Sequence, residues 1–114
     1  MKSKKILVID DEKDFQILMQ SFFTSNGHQV FVAGTLKEGL AILDEKQPDV
    51  IFLDNYLPDG LGWERSEFIR TKYPEIDLNL ISANHVPKTT TSSFRILEKP
   101  LHFEEMNKII GVNS

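Results

Sequence analysis

The chain has 114 residues, 40% of them hydrophobic and none of them cysteine, so one domain with a buried core is expected, without disulfides or thiolate metal sites. A net charge of −4 with no basic block argues against nucleic acid as a ligand, and Lys2, Lys4 and Lys5 read as solvated charges ahead of a first strand. No apolar run approaches the about 20 residues of a membrane span, and the first run ends in acids rather than a cleavage site, so a single cytoplasmic domain over 1–114 is expected.

Strand-like and helix-like segments alternate along the chain, the pattern of an α/β fold. Ile6-Leu7-Val8-Ile9 is an unbroken apolar run, as in a strand covered on both faces, and it leads into Asp10-Asp11-Glu12. Phe15, Leu18, Met19 and Phe22 recur at helical spacing, and Asn26-Gly27 supplies a stop. Gln29 to Ala33 reads as a second strand. Thr35 to Glu38 is a capping box, in which hydroxyl and carboxylate serve the free amides of a helix start. That helix points Leu36, Leu40 and Leu43 inward and ends before Pro48.

A second buried run, Val50-Ile51-Phe52-Leu53, ends in Asp54 and gives way to a loop rich in Pro and Gly from Asn55 to Gly62. A third helix is predicted from Trp63 to Tyr73, where Pro74 stops it. Asp77 to Ser82 and Phe94 to Glu98 read as fourth and fifth strands, and Phe103, Met106, Ile109 and Ile110 mark a closing helix. The link from Ala83 to Ser93 departs from this rhythm. A parallel crossover usually carries a helix, but Pro87 and a hydroxyl-rich, β-branched stretch give poor helix propensity and little apolar face. A shortened or irregular fourth helix is expected there.

Ligands of open α/β sheets bind beyond the carboxyl ends of the strands. Asp10, Asp11 and Asp54 all fall at such ends. Three converging carboxylates repel one another unless a cation screens them, and a hard cation such as Mg²⁺ prefers oxygen ligands. The competing structural reading is that Asp10 and Asp11 cap the first helix and Asp54 caps a turn. Ser82 ends the fourth strand and Lys99 the fifth, so the strand ends offer an acid pair, an acid, a hydroxyl and an ammonium. An ammonium there offsets the acids and is suited to holding a phosphoryl oxygen.

Taken in order, Ile9-Asp10-Asp11-Glu12, Leu53-Asp54 with Pro58, Gly62 and Glu64, Ser82-Ala83 and Lys99-Pro100 resemble the receiver domain of bacterial two-component response regulators, over essentially the whole chain. The resemblance implies a (βα)₅ doubly wound parallel five-stranded sheet in the order 2-1-3-4-5, acting as a signalling switch rather than an enzyme. It implies Asp54 as phosphoacceptor, Asp11 as direct and Asp10 as water-mediated ligand of Mg²⁺, and the Tyr56 carbonyl as a further ligand. Ser82 then resembles the hydroxyl that moves to the phosphoryl group and Lys99 its ion-pair partner, with a cis Lys99-Pro100 bond. The implied partners are a sensor histidine kinase or histidine phosphotransfer protein and a downstream protein target, with the chain itself a monomer or weak dimer.

Two departures from the family bear on output. Its switch aromatic, three positions before the lysine, is Ile96 here, with Phe94 two positions earlier on the same strand face. Ser82 and Lys99 are 17 positions apart (99 − 82), about one helical turn short of the family norm. These features support an alternative, a receiver-like interaction module that works without phosphorylation, whereas the retained acids, Ser82 and Lys99 oppose it. A metal-dependent phosphohydrolase would want a second acid two positions after Asp54, where Tyr56 stands. His85 reads as a loop imidazole, His28 and His102 as surface or turn residues, and Trp63 as a packing residue near the site.

Overall fold

The computed structural model describes residues 3–83 and 94–111. The main sheet consists of β1 (Lys5–Ile9), β2 (Gln29–Ala33), β3 (Val50–Asp54), β6 (Asp77–Ser82) and β7 (Arg95–Glu98), in the order β2-β1-β3-β6-β7. All its pairings are parallel, with Ile6 opposite both Val30 and Val50, Asp54 opposite Ile81, and Ser82 opposite Glu98. Between β3 and the third helix lies a small antiparallel ladder, β4 (Tyr56–Leu57) with β5 (Gly60–Leu61). Counting the main sheet alone, the order is the expected 2-1-3-4-5; the ladder is an addition to it.

Helices α1 (Lys13–Ser25) and α4 (Phe103–Ile110) cover one face of the sheet, and α2 (Leu36–Lys46) and α3 (Ser66–Lys72) the other. The alternation of strand side chains explains why β1 and β3 are apolar throughout. Ile6, Val8, Val50 and Phe52 pack with Phe15, Met19 and Phe23 of α1 and Met106 and Ile110 of α4. Leu7, Ile9, Ile51 and Leu53 pack with Leu36 and Leu43 of α2 and Ile69 of α3.

Several expectations need correction. In α1 the buried row is Phe15, Met19 and Phe23, while Leu18 is exposed. Both rows fit a 3.6-residue period, and the helix rolls so that Phe23 meets Phe52 and Phe22 stacks on Phe103. Of the inward leucines of α2, Leu40 is only partly buried and Gly39 takes the close approach to β1. The third helix begins as a 3₁₀ turn, Gly62–Arg65, and becomes α-helical at Ser66. His28 is buried rather than a surface residue, its Nδ1 accepting from the Lys4 amide at 3.0 Å. The expected irregular link, with His85, lies outside the described residues apart from Ala83.

Candidate functional site

Because every main strand runs the same way, the ends of β1, β3, β6 and β7 open on one edge of the sheet. Asp10 follows β1 fully buried, Asp11 is exposed, and Asp54 ends β3 with 7% of its surface accessible. A carboxylate oxygen from each lies within 4.8 Å of the others. Asp10 is held at both ends: Oδ1 accepts from the Glu12 amide at 2.8 Å, and its carbonyl accepts from the Gln16 side chain. This is the capping reading in part, since Asp10 does serve the approach to α1. Neither of these contacts involves the other carboxylate oxygen, Oδ2, which is buried.

Lys99 meets that oxygen. Its Nζ stands 2.7 Å from Asp10 Oδ2 and 2.9 Å from Glu12 Oε1, in close ion pairs with both carboxylates. The same ammonium lies 4.2 Å from the centre of the Phe15 ring. Its amide donates to the Ser82 carbonyl at 2.8 Å, which places Ser82 and Lys99 on adjoining strand ends, and the Lys99-Pro100 peptide is cis.

Burial pushes the Asp54 carboxyl up to about 6, with repulsion from Asp10 and, less strongly, Asp11 adding to it, while Lys99 and the Asn55 amide pull the other way. Lys99 is raised above its ordinary value: burial disfavours its charge, but contacts with Asp10 and Glu12 and the field of Asp54 outweigh that. The donor set suits a hard divalent cation, with carboxylates only and a nucleophile whose ionised form the bare site disfavours.

The loop after β3 is fixed by its own chain. The Asn55 amide donates to Asp54 Oδ1 at 2.8 Å, and Asn55 in turn accepts from Gly62 at its carbonyl (2.7 Å) and from the Trp63 amide at its side chain (3.1 Å). Trp63 Nε1 donates to the Leu53 carbonyl at 3.2 Å, so the indole does pack beside the site. A methyl group on Gly62 would collide with the Asp54 carbonyl oxygen and touch Leu53 Cδ1. Tyr56 opens β4 with its ring exposed.

The fold thus gathers Asp10, Asp11, Asp54 and Lys99 into one cluster, with Ser82 at the neighbouring strand end and Tyr56 two residues beyond Asp54. Glu12 and Asp59 are site residues that sequence reasoning misses. Glu12 grips Lys99, and its place directly after the acid pair is the available signal. Asp59 accepts from the amides of Leu36 and Lys37 at 2.8 and 2.9 Å, tying the site loop to the start of α2. Ile96 and Phe94 both pack, partly buried, on the α2–α3 face.

The sequence profile of the family described as "Response regulator receiver domain" matches residues 6–111. Among characterised relatives, Sporulation initiation phosphotransferase F of Bacillus subtilis is 35% identical over 89 residues, covering 68% of this chain and 72% of that protein. The Probable C4-dicarboxylate response regulator DctR of the same organism is 29% identical over 96% of this chain, which spans only 51% of that relative's length. Among solved structures, a CheY-like receiver domain from Methanospirillum hungatei superposes with a TM-score of 0.86 at 20% identity, covering 98% of this chain and 94% of that one. The beryllofluoride-activated NtrC4 receiver domain dimer gives 0.83 at 26% identity, covering 95% and 94%. With the fold and strand order of that group, the chain belongs to the receiver-domain family of two-component response regulators.

Proposed function

We propose that the chain is a phosphoacceptor, taking a phosphoryl group on Asp54 from a phosphohistidine of a sensor histidine kinase or histidine phosphotransfer protein. The observation that carries this reading is the buried Asp54 carboxylate clustered with Asp10 and Asp11, with the Lys99 ammonium on their flank. An Asp54 oxygen forms the new O–P bond as the P–N bond breaks, and the departing electron pair stays on the imidazole nitrogen, which takes up a proton. Transfer of this kind needs positioning and charge neutralisation more than covalent assistance.

Asp10, Asp11, Asp54 and the Tyr56 carbonyl are the groups that would hold Mg²⁺, which would neutralise charge on the phosphoryl oxygens and favour ionised Asp54. Lys99 supplies a further positive charge beside Asp10. Ser82 offers a hydroxyl at the adjoining strand end, so a phosphoryl group drawing that hydroxyl in would shift the start of the following link and alter the surface offered to a downstream protein.

The test is intact-mass analysis after incubation with acetyl phosphate and Mg²⁺. One phosphate should be gained, labile to hydroxylamine and dependent on Mg²⁺, and Asp54→Asn should abolish it. No adduct in wild type, or an undiminished adduct in Asp54→Asn, rejects the assignment.

A further inference from the structure

Lys99 has more acid around it than its proposed task requires. Its Nζ is shared by two carboxylates of opposite character: Asp10 is fully buried, whereas the Glu12 side chain is 60% exposed. Among the described residues these are its ion pairs, and Asp54 acts on it as a charge without reaching pairing distance. A fully buried partner whose oxygen meets the ammonium at 2.7 Å is an anchor, because removing the ammonium would strand that oxygen. An exposed partner is held weakly and exchanges readily with solvent or another anion. The Phe15 ring beneath the ammonium completes a seat on the α1 side of the site.

Resting on the phosphoacceptor reading above, we propose that Glu12 is a positioning residue: a weak latch that holds the Lys99 ammonium toward α1 until a phosphoryl oxygen replaces its carboxylate. Asp10 stays in contact throughout. The exchange substitutes one anionic oxygen for another on the same ammonium, so no proton moves. With acetyl phosphate as donor, an Asp54 oxygen bonds to phosphorus as the acetyl O–P bond breaks, and acetate leaves with the electron pair. Glu12 sets how readily Lys99 reaches the incoming group, and takes no part in bond making.

Phosphorylation by acetyl phosphate with Mg²⁺, followed by intact mass, compares wild type with Glu12→Gln, which keeps the shape and removes the charge. The variant should be phosphorylated about two- to five-fold faster at low salt, the range expected for an exposed ion pair. The difference should collapse in salt on the order of 1 M, where the screening length is about 3 Å. Asp14→Asn is the control, since Asp14 lines the same surface groove as Glu12, Phe15 and Lys99 without pairing with the ammonium, and its rate should match wild type. In protein free of metal and donor, Glu12→Gln should also move the Lys99 ammonium nitrogen resonance, and Asp14→Asn should not. A Glu12→Gln rate equal to or below wild type, an equal rise in Asp14→Asn, or an unmoved Lys99 resonance overturns the latch while leaving the phosphoacceptor reading in place. An absent adduct in wild type removes both.

Discussion

His28 is a buried imidazole whose bond from the Lys4 amide fixes its protonation. Nδ1 accepts from the Lys4 amide, so the proton sits on Nε2, which is buried without a partner among the described residues. Adding a second proton would require Nδ1 to give up that bond and would place a cation in the angle between α1 and β2, beside Phe23. The pKa is accordingly lowered, by burial first and by the charge of Lys4 second. A histidine lowered in the folded state takes up its proton more readily when unfolded. Its contribution is therefore fully present above the unfolded pKa of about 6.5 and is lost as pH falls from there through the folded value. Denaturant titrations of wild type and His28→Gln at matched pH isolate this contribution. The stability difference between them should shift against wild type as pH falls from about 7.5 to 5, judged against that reference pKa. A difference that stays constant over that range would show that His28 is not the titrating group.

At the scale of elements, the β3–α3 connection explains why Asp54 points where it does. The chain leaves β3, makes the two-residue ladder, and returns at Gly62, whose amide bonds the Asn55 carbonyl while its α-carbon lies against the Asp54 backbone. Gly62→Ala should destabilise the protein by about 1–3 kcal/mol, the usual range for overpacking, and slow Asp54 phosphorylation because the relief must come from the β3 end. Thermal melts and acetyl phosphate kinetics read both, and a variant unchanged in each would show that the loop absorbs the methyl elsewhere. That Gly62 follows a buried strand is visible in the sequence; that it closes on Asp54 is not. Runs such as Ile6–Ile9 and Val50–Leu53 announce themselves because a strand covered on both faces must be apolar at every position. Long-range capping gives no such signal. Thr35 and Glu38 identify the start of α2 locally, and the Glu38 amide does donate to Thr35 Oγ1, but the Glu38 carboxylate reaches the Gly34 amide and Asp59 serves Leu36 and Lys37 from 23 and 22 positions away. Likewise, periodicity places α1 as a helix yet does not choose between the rows ending in Phe22 and Phe23, because the sheet beneath makes that choice.

The whole molecule concentrates its electrostatic cost at one edge. A fully parallel main sheet sends every strand's carboxyl end the same way, so Asp10, Asp11 and Asp54 meet there, opposed within the cluster by the Lys99 ammonium. Folding must therefore bury Asp54 against its own charge, and its carboxyl rises from 3.8 to about 6. For an acid raised in this way the native state holds its proton more tightly than the unfolded chain. Its favourable contribution is present below about 3.8 and is lost as pH rises through about 6, leaving the bare site at its most costly in neutral and alkaline solution. Asp54→Asn removes the charge while its side-chain oxygen can still accept from the Asn55 amide. In metal-free protein near neutral pH it should stabilise the fold by about 1–3 kcal/mol, since each tenfold change in proton affinity corresponds to about 1.4 kcal/mol and the site relaxes in part. The gain should vanish in acid, where Asp54 is protonated in both states. Mg²⁺ should raise the melting temperature of wild type more than that of Asp54→Asn, because a cation among these acids offsets the cost only where the charge exists. Melts across pH with and without Mg²⁺ decide it: an Asp54→Asn variant less stable than wild type in metal-free neutral buffer would mean that Lys99 and the Asn55 amide already offset the buried charge.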